Sequence, residues 1–147
     1  MAASRPRALY LCTHNSARSQ MAEGYTRERY GDRFEAHSAG TEATAVRPLA
    51  IRVMREIGIE IGHQESKALD RYLTQTWDFV ITVCDQAHAA CPFFSGGKRR
   101  LHWSLPDPSA ASGSEEEQLR AYRAVRDDLR RLIDALAAEA GPETSAA

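Results

Sequence analysis

The run Phe79 to Cys84, FVITVC, is apolar or β-branched throughout, and it constrains the fold more than any other feature of the chain. A strand without polar alternation has to be covered on both faces, as in a parallel sheet with layers above and below it. Arg7 to Cys12, RALYLC, is a second short apolar run, and it gives way at once to Thr13, His14, Asn15 and Ser16, residue types of turns and caps. Good helix formers follow from Ala17 to Tyr30, with Met21, Ala22 and Tyr25 as an apolar face and Gly31 as the stop. Strand, loop and helix are therefore expected in immediate succession.

Phe34 to Ser38 is a weaker strand candidate that ends in Gly40, and Pro48 opens a helix with Leu49, Val53 and Ile57 on one face and Gly58 at its end. Arg100 to Leu105, RLHWSL, alternates and is expected as an outer strand. Ser114 and Glu117 form a capping box. Behind it Leu119, Tyr122, Val125, Arg126, Leu129, Leu132, Ile133 and Leu136 trace the stripe of a last helix. Strands alternating with helices define an α/β fold with a mostly parallel sheet, whose ligands bind beyond the carboxyl ends of the strands. One domain is expected over residues 1–140, with a frayed tail at 141–147. Cys12 and Cys84 both stand at strand ends.

A 43% hydrophobic, 27% charged chain with a net charge of -1 has no overall attraction for nucleic acid or acidic membranes, so any anion it takes is bound locally. No apolar run approaches the roughly 20 residues of a membrane span, and the start, MAASRPRALYLC, lacks the apolar core of a secretory signal. The cytoplasm is the expected location. Three cysteines in such a reducing compartment read as buried thiols or redox groups rather than a disulfide framework.

Cys12 to Arg18, CTHNSAR, has a Cys and an Arg separated by five residues, with Ser19 next. The bare pattern is weak, because arginine is common here and a buried thiol beside an exposed Arg would read the same. Its context is specific. Between a strand and a helix, the backbone N–H groups of Thr13, His14, Asn15, Ser16, Ala17 and Arg18 can converge on one point, and the helix dipole adds positive charge. Such a nest suits a tetrahedral dianion, Arg18 can grip two of its oxygens, and the same surroundings favour a Cys12 thiolate to which Ser19 can donate. Asp107, in the turn LPDPS, could protonate a leaving oxygen, although Pro-Asp-Pro is also an ordinary turn.

Cys84 and Cys91 lie seven residues apart in CDQAHAAC, before Pro92. In a helix they would share a face about 10 Å apart along the axis, whereas a disulfide needs Cα atoms within about 7 Å, so bonding requires the segment to unwind. Pro92 and the Gly96-Gly97 pair nearby favour such mobility. From spacing alone, two unrelated buried cysteines remain an equal alternative.

Cys12 to Gly24, CTHNSARSQMAEG, resembles the signature of the low-molecular-weight tyrosine phosphatase superfamily, and most of all its thioredoxin-coupled arsenate reductase branch. The likeness extends from Arg7 to about Leu136. It implies a four-stranded parallel sheet flanked by helices, with Cys12 as nucleophile, Asp107 as general acid, and Cys84 and Cys91 as relay thiols. It further implies arsenate as substrate, phosphate or sulfate as competing anions, thioredoxin as reductant, and no metal or organic cofactor. Three positions depart from common patterns. His14 stands where many relatives have Gly, Ala17 where many have a further Cys, and Ser109 where phosphatases carry an aromatic that grips aryl substrates. Some relatives bind potassium beside the loop through an Asn, a Glu, a Ser and an Asp. Asn15, Glu23 and Ser38 match, but Lys67 stands in place of the Asp, so an ammonium is expected instead of the ion. Rival readings are a protein phosphatase, a non-catalytic thiol module that captures arsenite, and a reductase served by another thiol donor.

Overall fold

In order along the chain, Arg7–Cys12 forms β1, Arg18–Tyr30 α1, Glu35–Gly40 β2, Pro48–Arg55 α2, Trp77–Thr82 β3, Gly97–His102 β4 and Glu115–Ala140 α3. Short 3-10 turns lie at Leu69–Tyr72 and Pro108–Ala110. The computed structural model describes residues 5–85 and 97–140. Cys91, Pro92, Gly96 and the tail 141–147 lie outside the described residues.

The four strands form one parallel sheet in the order β2-β1-β3-β4. The period of two along β1 sorts its side chains between two layers. Ala8, Tyr10 and Cys12 join Phe79 and Ile81 beneath Met21, Val53, Leu119 and Ile133 of the three helices. Leu9 and Leu11 face the other way with Val80, Ala39 and Trp77, and Leu69 and Tyr72 of the 3-10 turn cover them. That double cover explains why β1 and β3 carry almost no polar side chains. Full burial of each large aliphatic group contributes about 1.5–3 kcal/mol. Among the described residues no helix is long and apolar enough to cross a membrane.

The caps predicted for the last two helices form. Ser114 N–H donates to Glu117 Oε1 at 2.8 Å and Glu117 N–H to Ser114 Oγ at 3.2 Å, closing the capping box of α3. Regular helix in α2 stops at Arg55, yet the last turn closes where Gly58 was expected to end it. Gly58 has φ 80°, its N–H bonds Arg55 O at 3.0 Å, and Ile59 N–H bonds Met54 O at 3.0 Å. This is a Schellman motif, and its left-handed residue favours glycine.

Two strands are displaced from the expected bounds. β3 begins at Trp77, two residues before Phe79, because the fully buried Trp77 pairs with Gly97 and packs on Tyr72. β4 was expected at Arg100 to Leu105 but runs Gly97–His102. Its start is hidden by Lys98, Arg99 and Arg100, a charge run that an edge strand tolerates because it meets water. Ser104 and Leu105 leave the sheet, and the Leu105 carbonyl turns to accept from Arg18 at 3.0 Å.

Candidate active site

Cys12 is the last residue of β1 and only 2% exposed, with α1 beginning at Arg18. The residues between them bend back over the end of β2, and almost every carbonyl in the bend has a named partner on the outside. Thr13 O accepts from Glu42 N–H at 2.9 Å and from Thr41 Oγ1 at 3.1 Å. His14 O accepts from Thr44 Oγ1 at 3.1 Å and Ser66 Oγ at 3.0 Å. Asn15 O accepts from Gln20 Nε2 at 3.0 Å, and Ser16 O from Arg47 N–H at 2.8 Å. In a trans peptide the N–H points opposite to the C=O. Carbonyls held outward from Thr13 to Ser16 thus turn the N–H groups of His14 to Ala17 the other way, toward the concave side of the loop. Ala17 precedes α1, and among the described residues no side chain caps that helix start. The loop has the form of an anion nest.

The bend is tight. A Cβ on Gly40 would lie 2.6 Å from Asn15 N and 2.7 Å from Thr13 O, so only glycine lets the end of β2 approach the loop. Asn15 has φ 50°, the single positive φ outside glycine among the described residues. The left-handed position of the loop thus falls not on His14, where many relatives have Gly, but one residue later, on a type that tolerates that region. Asn15 is fully buried. Its Oδ1 accepts from Lys67 N–H and Gln20 Nε2, and its Nδ2 donates to Ser19 Oγ at 2.7 Å. Ser19 Oγ in turn lies 2.8 Å from Cys12 Sγ. When Cys12 is ionised only the hydroxyl can donate in that pair.

Arg18, the first residue of α1, faces Asp107, with Nη2 3.9 Å from Asp107 Oδ2. The other carboxylate oxygen, Oδ1, accepts from Ser109 N–H at 2.9 Å and Ser109 Oγ at 2.6 Å. Partial burial pushes the Asp107 carboxyl up, but the two Ser109 donors and the charges of Arg18 and Arg47 outweigh it and hold the group below the usual aspartate range.

Cys84 lies two residues past β3, buried at 3% exposure, and its Sγ is 3.4 Å from Thr13 Oγ1. Both described thiols are thus buried and gathered at the carboxyl end of the adjacent strands β1 and β3. Asp85, next in the chain, accepts from His102 Nε2 and Ser104 Oγ at 2.8 Å each, which ties the strand end to β4. Among the described residues no cluster of three His, Cys, Asp or Glu could hold a metal ion. Behind the loop the potassium ligand set does not fit a cation. Lys67 Nζ already lies 3.4 Å from Glu23 Oε1 and donates to Glu65 O at 2.7 Å.

A buried thiol at the start of a loop shaped as an anion nest, with Arg18 at the other end of that loop and the Asp107 carboxylate 3.9 Å from its guanidinium, is an arrangement that suits a tetrahedral oxyanion. The low molecular weight phosphotyrosine protein phosphatase family matches over residues 7–145, and the chain belongs to this family. Within it, the chain is 44% identical to an arsenate reductase of Halalkalibacterium halodurans over 87% of its own length and 92% of the relative's. Its fold is similar to that of an arsenate reductase solved in the phosphate binding state, with TM-score 0.80, 30% identity, and 91% and 98% of the two chains covered. It is also similar to a thioredoxin-dependent arsenate reductase of Corynebacterium glutamicum, with TM-score 0.65, 27% identity, and 92% of this chain and 63% of that one covered.

Proposed function

We propose that the protein is an arsenate reductase in which Cys12 attacks arsenic and the oxidation passes through Cys84 to Cys91, for thioredoxin to reset. The observation that carries this reading is the second buried thiol, Cys84, 3.4 Å from Thr13 of the anion loop. A phosphatase has no use for it. The 44% identical arsenate reductase and the thioredoxin-dependent neighbour support the substrate and the reductant.

The bound dianion sits among the loop N–H groups with Arg18 on two of its oxygens. Cys12 Sγ bonds to arsenic, one As–O bond breaks, and the leaving oxygen takes the Asp107 proton and departs as water. Negative charge on the bound oxyanion offsets Arg18 and Arg47, which raises the proton affinity of Asp107 in the complex. Cys84 then attacks Cys12 Sγ. The S–As electron pair stays on arsenic, so As(V) becomes As(III), the two sulfurs are oxidised to a disulfide, and arsenite leaves. Cys91 attacks Cys84, frees Cys12 and leaves a Cys84–Cys91 disulfide, which an external dithiol reduces by exchange. Phosphate and sulfate share the nest as competitors, and phosphatase activity is a weak side reaction because Ser109 offers an aryl group no aromatic wall. The proposed reaction needs no metal or organic cofactor, and a thiol reductant of this kind suits a protein of the reducing cytoplasm.

The test is NADPH consumption with arsenate, thioredoxin and thioredoxin reductase, beside hydrolysis of an aryl phosphate. Sustained arsenate-dependent NADPH oxidation exceeding aryl phosphate turnover is expected. The reverse order would return the chain to the phosphatases.

A further inference from the structure

The catalytic scheme leaves two buried charges unused. Lys67 is 6% exposed and Glu23 8%, and burying such charges is costly unless they are paired and hydrogen-bonded. Glu23 Oε1 accepts from Ser38 Oγ and faces Lys67 Nζ at 3.4 Å, while Glu23 Oε2 accepts from Arg27 at 3.0 Å. Lys67 Nζ also donates to Glu65 O at 2.7 Å. Its backbone works in the other direction. Lys67 N–H donates to Asn15 Oδ1 at 2.7 Å, and Lys67 O accepts from Gly40 N–H at 2.9 Å. From Asn15 the path continues through Ser19 to Cys12 in two further contacts of 2.7 and 2.8 Å.

We propose that the Lys67 ammonium is a built-in monovalent cation that pins residue 67 between Glu23 and Glu65 and thereby holds Asn15 and the anion loop in shape without a diffusible ion. The ammonium supplies one positive charge to oxygen ligands, as a potassium ion in an oxygen cage would. Tethered to the chain, it cannot dissociate. Lys67 is a positioning residue here, since it reaches the anion only through Asn15 and the loop.

A surface cleft of about 390 Å³, lined by Glu23, Glu65, Lys67 and Tyr72 among others, reaches the pair, so a truncated side chain would open the place to small cations. The experiment is calorimetric binding of inorganic phosphate to the reduced protein in tetramethylammonium, lithium, potassium or ammonium chloride at constant ionic strength. Wild type should bind equally in all four. Lys67→Ala should bind about tenfold more weakly in tetramethylammonium or lithium, recover most of that loss in potassium or ammonium, and melt higher in the same two salts. Lys67→Ser keeps the opened space and adds an oxygen donor, and serves for the same comparison if the alanine variant does not fold. Undiminished binding by the variants in tetramethylammonium, a loss that no salt restores, or potassium dependence of the wild type would each overturn the proposal. The inference rests on anion binding by the loop and not on arsenate reduction. A chain unable to reduce arsenate would still report phosphate affinity.

Discussion

The Ser19 hydroxyl oxygen lies 2.8 Å from Cys12 Sγ and is itself fixed by Asn15 Nδ2 at 2.7 Å. A hydrogen bond to a charged group contributes about 1.5–3 kcal/mol, so Ser19→Ala should slow the sulfur chemistry by about 10–100-fold. Phosphate affinity should fall much less, because the loop N–H groups and Arg18 remain. Rapid-quench kinetics beside phosphate calorimetry separate the two, and an equal loss in both would make Ser19 a prop of the loop instead.

Arg18 reaches the Leu105 carbonyl with one terminal nitrogen, which holds its guanidinium in place. Arg18→Lys keeps the charge and loses the bidentate grip. Inhibition by phosphate or sulfate should weaken about tenfold, measured as competition against arsenate. Unchanged inhibition constants would remove Arg18 from anion binding.

Asp107→Asn should slow formation of the arsenic adduct by about 10²–10⁴ while leaving anion affinity largely intact. Ser109 is the finer test. Its hydroxyl favours the carboxylate beside its backbone N–H, and Ser109→Ala removes the hydroxyl alone, so Asp107 keeps its proton to higher pH. The descending limb of the pH–rate profile, where the acid is lost, should then move to higher pH. A limb that stays in place would detach it from Asp107.

The anion loop was legible in the sequence because a strand, a turn-forming stretch and a helix are consecutive there, and consecutive signals survive without a structure. Cys12, Arg18 and Ser19 come from that one segment. What holds the loop open was not legible. Gly40, Thr41, Thr44, Ser66 and Lys67 reach it across space from the end of β2 and the chain beyond, and no spacing rule links them to residues 13–16. Gly40 left a trace as a glycine closing a strand, and Lys67 stood out only through the family resemblance. The double-sided burial of β1 and β3 was readable from their unbroken apolar runs, whereas β4 shifted by three residues because its charges suit an edge and resemble a loop.

Away from the site, Glu56 joins α2 to α3 by accepting from Arg123 at 2.8 Å and Arg126 at 2.8 Å. Hydrogen bonds from Arg123, then from Arg126, outweigh desolvation and pull its carboxyl down to about 2. A carboxyl lowered on folding stabilises the protein above its unfolded value, and that contribution fades as pH falls toward the folded one. Glu56→Gln should therefore melt below wild type at pH 7, and the gap should close between about pH 4.5 and pH 2. A gap independent of pH in thermal melts would show that the charge is not what matters.

The relay is tested most directly by counting product. Cys91→Ser, given excess arsenate, thioredoxin and thioredoxin reductase, should release one arsenite per protein chain and stop, with a Cys12–Cys84 disulfide found by peptide mass spectrometry. Cys84→Ser should release none and stall at the arsenic adduct on Cys12. Continued turnover by Cys91→Ser, or a trapped species without the Cys12–Cys84 bond, would contradict the account.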